Sequence, residues 1–321
     1  MTCGDSTSEG LRPRLGGDGS FSLFSSRFGE GFHAGVGALR EAWDKFVLPA
    51  QLERFPAGSQ LLVVDVGFGL GTNSAALLEA ASPRGLGLTI HGLELEAAPL
   101  RTALAAEPFR RQWQPATLAL LEQVLASSTA TQEANCTSSC TSNCTASLHW
   151  GDARQRLPEL LGERQLAGQC DLVLLDAFSP PHCPELWSLE FLGQLARLLK
   201  PQGRLLTYCC AAAVRHSLRL AGLELASIQP PAELATELAT GNAWSYGTAA
   251  SPTALASGGP VWPLAPMELE HLHTRAAEPY RDPSGRATAA AILAARQRAQ
   301  AASTATSTSA WRRRWGLERA T

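Results

Sequence analysis

The run Asp65-Val66-Gly67-Phe68-Gly69-Leu70-Gly71-Thr72-Asn73 sets three glycines at alternate positions between an apolar stretch and a segment of helical spacing. Glycines there let the backbone turn sharply and approach a bound nucleoside with no Cβ in the way. A dinucleotide site wants G-x-G-x-x-G around a pyrophosphate. The G-x-G-x-G spacing after Asp65 suits a nucleoside ligand without phosphates, held by its amino-acid part and its ribose. Glu94 ends the next apolar segment, where an acid accepts hydrogen bonds from both ribose hydroxyls, and Glu96, on the same face, competes for that role. Asp152, followed by Ala153, ends a third segment and could accept from an adenine amino group. Asp176 ends a fourth, immediately before the proline-stiffened Ala177-Phe178-Ser179-Pro180-Pro181. Ligands of open α/β sheets bind beyond the carboxyl ends of the strands, so Asp65, Glu94, Asp152 and Asp176 are predicted to meet on one rim. The chemistry this suits is transfer of a group to an aligned nucleophile, with most of the acceleration coming from position. If the acceptor is an amine, Asp176 is the carboxylate that accepts its proton or orients it.

These residues need strands and helices in alternation, and the chain supplies them. Strands are predicted over Leu61–Val66, Leu88–Leu95, Leu148-His149-Trp150-Gly151-Asp152, Asp171–Phe178 and Gly203–Cys210. Helices are predicted from Thr72 or Asn73, from about Ala97 to Ala106, and from about Ser188 to Leu199, the last broken at Lys200-Pro201-Gln202-Gly203. This alternation gives an α/β fold with a mostly parallel, doubly wound, Rossmann-like sheet. Residues 1–19 are polar and Gly-rich and are predicted to be disordered. Structure is expected to begin near Ser20 with a short strand or hairpin, then a helix ending before Pro49. One domain is expected over 20–283, interrupted by a low-complexity insertion at about 127–147. A strand pair is predicted near Gly222–Ile228 and Ala243–Ala249. Residues 284–321 should form a helix capped by Ser284, a linker and a basic tail.

The 321 residues are 45% hydrophobic and 17% charged, which suits a folded chain with a sizeable core. The net charge of −2 gives no global argument for a nucleic-acid partner. The charge is uneven, however: from Val261 onward there are nine Arg and no Lys against five acids, closing in WRRRWGLERAT. Such a tail could touch phosphates and stack on bases, or be a solvated terminus. Of eight cysteines, Cys136, Cys140 and Cys144 recur at every fourth residue, a spacing that fits no common zinc or cluster motif. Free thiols and no metal are expected. No run of eighteen apolar residues occurs, so neither a membrane span nor a signal peptide is expected, and the cytoplasm is the expected location.

Three stretches resemble one known family, the methyltransferase part of the tRNA-modifying enzyme MnmC and its single-domain relatives, MnmD or DUF752. GSFSLFSSRFGEGFHAGVGALREA is similar to the family's N-terminal segment, VVDVGFGLGTN to its glycine loop, and LLDAFSPPHCPELWSLEFLGQLARLLKPQGRLLTY to its Asp-Ala-Phe-Ser-Pro, Pro-Glu-x-Trp and Pro-Gly-Gly stretches. The resemblance spans about Gly19 to Leu223 without the insertion. It implies a class I S-adenosylmethionine-dependent methyltransferase that acts on the amine of 5-aminomethyl-2-thiouridine in tRNA. It implies Asp176 as the catalytic acid, with Asp65, Gly67, Phe68, Gly69, Gly71, Asn73, Glu94, Asp152 and Ala153 at the cofactor. Glu30, His33, Phe178, Ser179 and Pro180 would lie toward the substrate, although a buried, hydrogen-bonded His33 fits the sequence equally well. The family's flavin-dependent oxidase part has no counterpart here, since no second glycine-rich strand-turn-helix occurs, and no FAD is expected. The family's Gly after the fifth strand is replaced within Ala211-Ala212-Ala213, and its Lys-Arg-rich C-terminal signature is not evident in PMELEHLHTRAAEPYRDP. Other readings on the same fold are a small-amine methyltransferase, an aminopropyltransferase, or a non-catalytic protein that binds RNA or another protein.

Overall fold

The computed structural model describes residues 10–126, 133–136, 144–162, 164–231 and 246–317. The chain divides into two compact units, Met1–Val47 with Gln51–Arg156, and Leu48–Ala50 with Leu157–Thr321. Among the described residues, no helix is long and apolar enough to cross a membrane.

The first unit opens with an antiparallel sheet of β1 (Leu11–Leu15), β2 (Phe21–Ser25) and β3 (Glu30–Gly31). β1 lies ahead of Ser20, where structure was predicted to begin. Its LRPRL sequence has no apolar alternation to reveal it, and its exposed Arg12, Pro13 and Arg14 are the residues an edge strand uses to discourage further pairing. Its order comes from the ladder to β2. The call of disorder for residues 1–9 falls outside the described residues. Helix α1 (Ala38–Ala42) donates its first amide to Ser20 Oγ at 2.6 Å and passes into a π-helical turn, Trp43–Val47. Helical backbone then runs on through Pro49 to Ala50, beyond the predicted stop. The wider π turn removes the clash that a proline ring makes with the preceding turn of a regular α-helix.

Three parallel strands follow, β4 (Gln60–Val66), β5 (Gly87–Glu94) and β7 (Cys144–Trp150), in the order β4-β5-β7-β6 with β6 (Glu133–Cys136) antiparallel on β7. Helix α2 (Thr72–Ala81) links β4 to β5, and α3 (Ala98–Ala105) and α4 (Pro115–Ala126) lie between β5 and β6. In α2, Ala75, Ala76 and Ala81 have no exposure at all, small side chains that bring the helix close to its neighbours. The predicted insertion is narrower than 127–147. Residues 144–147 belong to β7, and backbone pairing with β6 needs no apolar side chains, so a Ser/Thr/Asn/Cys composition does not prevent it. Residues 127–132 and 137–143 of the insertion, Cys140 among them, lie outside the described residues.

Helix α5 (Ala153–Gly162) leads into the second unit. There β8 (Cys170–Leu175) is buried at every position, as a continuous apolar run in a parallel strand should be. Helix α6 (Leu189–Leu198) starts at Ser188, whose hydroxyl accepts from Phe191 N at 3.3 Å, a cap worth about 1 kcal/mol. Its buried Phe191, Leu192, Leu195 and Leu198 make one helical stripe. β9 (Leu199–Thr207) begins directly at its end, so Lys200-Pro201-Gln202-Gly203 lies within an irregular strand start instead of a turn. Gly203 is needed there, because a Cβ would sit 2.5 Å from Cys170 O. Helix α7 (Ala212–Leu220), β10 (Glu224–Ile228), β11 (Gly247–Ser251) and β12 (Val261–Pro263) complete the sheet order β12-β10-β11-β9-β8, in which β10, β11 and β12 pair antiparallel. The predicted strand pair is therefore present, with its second member beginning at Gly247; residues 243–245 lie outside the described ones.

Helices α8 (Pro266–His271), α9 (Ala289–Ala302) and α10 (Thr308–Arg314) end the described chain. Thr288, not Ser284, caps α9. Ser284 is taken up in a turn in which Asp282 Oδ1 accepts from its hydroxyl and from the amides of Arg286 and Ala287. The predicted linker, residues 303–310, runs into α10, which is capped by Ser307 and carries on into the predicted basic tail.

Candidate active site

The glycine loop has the backbone the sequence demands. Gly67, Gly69 and Gly71 have φ of 77°, 56° and 81°, left-handed values that a side chain rarely adopts. The amides of Gly67 and Phe68 both donate to Leu93 O, at 3.0 and 3.2 Å, tying the loop to the end of β5. The next contact comes from Glu94, whose Oε2 accepts from Gly69 N at 2.7 Å. Its Oε1 accepts from Leu95 N at 2.6 Å and Glu96 N at 3.3 Å. A carboxylate has about four acceptor positions; three backbone amides therefore leave Glu94 one further position open to a ligand hydroxyl. Burial raises its pKa, against the three amide bonds, and the nearby Glu96 charge raises it further. Glu96 itself is exposed.

Beneath the loop, Asp65 has no exposure and accepts from Ser74 Oγ at 2.6 Å. Its Oδ1 and the buried hydroxyl of Thr72 have no hydrogen-bond partner. Burial raises the Asp65 pKa to about 7, the Ser74 bond opposing and the Glu94 charge adding to the shift. Asp65 thus lies beneath the loop with one carboxylate oxygen unpartnered among the described residues. The Phe68 ring is packed beside it, the residue being 4% exposed. That ring is wedged so tightly that a Cβ on Gly71 would come within 2.9 Å of it and one on Gly92 within 2.7 Å. Asn73 is buried in the first turn of α2.

Phe32 was not singled out by its sequence, yet its ring lies 3.2 Å from where a Cβ on Gly69 would be. The segment after β3 therefore packs on the glycine loop. Glu30 stands half-buried in β3. His33 is buried, with Nδ1 2.9 Å from Ser22 Oγ, and burial lowers its pKa to about 4. Of the two readings of His33, the hydrogen-bonded core residue is the one the structure shows.

Asp152 caps α5: its Oδ1 accepts from Arg154 N at 2.9 Å, and the Arg154 guanidinium clasps both carboxylate oxygens. An adenine amino group would compete with that fork for a carboxylate whose side chain is 36% exposed. Ala153 is buried beside it. Gly151 N donates to Glu94 O at 2.8 Å, so the ends of β5 and β7 are joined.

In the second unit Asp176 follows the last residue of β8 and is partly exposed. The loop behind it is held at successive carbonyls: Tyr208 Oη donates to Ala177 O at 2.9 Å and Trp187 Nε1 to Phe178 O at 2.8 Å. Ser179 O accepts from the amides of His182 and Cys183, closing a turn in which Pro180 is buried. Trp187, fully buried, meets Tyr208 edge to face at 6.0 Å. Among the described residues no group of three or more His, Cys, Asp or Glu is arranged to hold a metal ion.

A cradle that admits no Cβ, a carboxylate with one acceptor position left and buried polar atoms without partners beneath it fit S-adenosyl-L-methionine. Residues 112–233 match a family model described as S-adenosyl-L-methionine-dependent methyltransferase. Over those residues the chain matches that class of enzyme, and it has the α/β Rossmann-like fold of the class. Within the class it is MnmC-like. It is 31% identical over 222 residues to the tRNA 5-methylaminomethyl-2-thiouridine biosynthesis bifunctional protein MnmC of Aeromonas hydrophila subsp. hydrophila, covering 64% of this chain and 31% of that protein. It is 34% identical over 211 residues to the protein of the same name from Pseudomonas aeruginosa, covering 63% and 30%. The crystal structure of MNMC2 from Aquifex aeolicus superimposes with a TM-score of 0.70 at 27% identity, over 92% of this chain and 86% of that one. The chain thus spans under a third of the length of these curated relatives.

Proposed function

We propose that the protein methylates the aminomethyl group of a modified wobble uridine in tRNA, converting 5-aminomethyl-2-thiouridine to 5-methylaminomethyl-2-thiouridine. The observation that carries this reading is the glycine cradle fastened by Glu94 to Gly69 N at 2.7 Å, in a chain 31% identical to a protein named for that nucleoside. A cytoplasmic location belongs to the same reading.

When bound, S-adenosyl-L-methionine supplies an electrophilic methyl group on a sulfonium. The chain's own residues do the rest. Gly67, Gly69 and Gly71 let the backbone approach the nucleoside, and the remaining acceptor position of Glu94 takes a ribose hydroxyl. Asp152 remains the residue proposed for the adenine amino group. An amine attacks only through a free lone pair, so Asp176 accepts its hydrogen bond and takes up its proton. Anchoring by Tyr208 and Trp187 keeps the loop after Asp176 in one geometry, which favours a reaction accelerated mainly by alignment.

The test is transfer of labelled methyl to tRNA from cells lacking this modification, with nucleosides identified by mass spectrometry. Asp176→Asn should lower kcat by roughly 10²–10⁴-fold and leave cofactor affinity, by titration calorimetry, within a few fold. Methylation of free small amines in preference to tRNA would overturn the acceptor, and loss of cofactor binding in Asp176→Asn would overturn the role of that residue.

A further inference from the structure

Helix α10 lies outside the residues matched by the family model, and its construction serves neither the glycine loop nor Asp176. Trp311 is 1% exposed, stacks on the His271 ring at 4.1 Å and donates from Nε1 to Met267 O at 3.1 Å. Trp315 Nε1 adds a bond to Glu270 Oε2 at 3.0 Å. The next three residues after Trp311, Arg312, Arg313 and Arg314, are all exposed. Successive residues of a helix point about 100° apart, so the three guanidinium groups fan out from a fixed stem. Arg314 shares Glu270 at 3.2 Å with its side chain 70% exposed, while among the described residues no carboxylate pairs with Arg312 or Arg313. Arg275, also exposed, donates from Nε to Ala305 O at 3.1 Å in the segment leading into α10. Over residues 261–317 there are eight arginines and no lysine against four carboxylates, and two of those, Glu268 and Asp282, are buried.

We infer that α10, with Arg312, Arg313 and Arg314, is a docking surface for the phosphate backbone of RNA. This deepens the reading above and rests on it. Fixed arginines suit a polyanion, and Trp315, 36% exposed at the end of the helix, places an aromatic ring beside them on which a base could stack. A lipid surface fits less well: a helix lying in a membrane interface needs an exposed apolar face, and the apolar face of α10 is spent on Trp311 against His271. Helix-end stabilisation needs fewer charges, since cations there act only within the last turn.

The experiment uses the full chain and an unmodified tRNA transcript, with affinity measured by filter binding across a potassium chloride series. In the triple variant Arg312→Gln/Arg313→Gln/Arg314→Gln the plot of log affinity against log salt should flatten by roughly 2, as expected for two to three lost phosphate contacts. Affinity near physiological salt should fall on the order of 10–100-fold, with Tm and kcat at saturating tRNA unchanged because Trp311 stays. Lysine at the same three positions should restore most of the binding. Wild-type affinity and slope in the glutamine variant would overturn the inference. So would anionic phosphatidylserine vesicles that bind as tightly as RNA through the same arginines. If the wild type binds tRNA through these residues yet transfers no methyl to it, the surface stands and the acceptor reading falls. If the wild type does not bind tRNA, both fall.

Discussion

Asp65 in the first unit and Glu268 in the second are both carboxylates with almost no exposure, and the chain treats them in opposite ways. Glu268 Oε1 accepts from Arg215 Nη1 at 2.7 Å and Ser227 Oγ at 2.9 Å, and Oε2 from Ala265 N at 2.8 Å. Arg215 spends its other donors on Thr248 Oγ1 and Gly247 O. This is a saturated ion pair that fixes α7, α8, β10 and β11 together. Asp65 is met by Ser74, through its hydroxyl and its amide, and its Oδ1 has no partner among the described residues. Buried polar groups are normally satisfied, so a saturated pair marks scaffold and an unsatisfied one beneath a glycine loop marks a place where stability has been conceded to function.

Breaking the saturated side gives the largest effect. Glu268→Ala leaves Arg215 charged, desolvated and short of its partner, and removal of one member of a buried pair costs about 3–5 kcal/mol. Urea denaturation should show that loss. A change under about 1 kcal/mol, within the range of an exposed pair, would mean that Arg215–Glu268 is not the clamp described. Breaking the loop side should instead cost less stability, on the order of 1–3 kcal/mol, and remove the ligand. Gly69→Val forces a β-branched residue to φ 56° and drives a Cβ to 3.2 Å from the Phe32 ring. Calorimetric titration with S-adenosyl-L-methionine should show affinity lost by at least about a hundredfold, from exclusion of the backbone from the nucleoside. Retained affinity would move the cofactor away from this loop.

The same contrast explains what the sequence disclosed. The glycine loop, the position of Asp176 and the order of strands were legible because a parallel strand reads as an unbroken apolar run and a left-handed turn demands glycine. Glu94 was legible as the acid that ends β5, but its three bonds to backbone amides were not, since a backbone donor leaves no mark in the residue types. Asp152 was read as a ligand contact although it caps α5 and holds Arg154: Asp at a turn serves both purposes with the same residue. Phe68 and Phe32 were hidden for another reason. An aromatic beside glycines can point out to a ligand or in to the gap that the missing Cβ leaves, and only packing decides. β1 escaped because its arginines and proline resemble a disordered terminus, and Thr288 displaced Ser284 as the α9 cap because Asp282 claims Ser284 for a turn of its own.

Asp65 itself offers the mildest way to sharpen the comparison. Its pKa lies near 7 when folded, against an ordinary value of 3.8, so the folded chain keeps a proton between those values that the unfolded chain has lost. Stability from this group is therefore fully present below about pH 4 and falls as pH rises through about 7. Asparagine preserves shape and the Ser74 bond and does not titrate. Asp65→Asn should thus differ from the wild type by a constant amount below pH 4 and gain on it steadily as pH rises from 4 to about 7. Chemical denaturation at a series of pH values measures the difference directly. Two stability curves that stay parallel across that window would show Asp65 to be ionised in the folded protein and its second oxygen to be satisfied. The opposition between Asp65 and Glu268 would then reduce to two structural carboxylates.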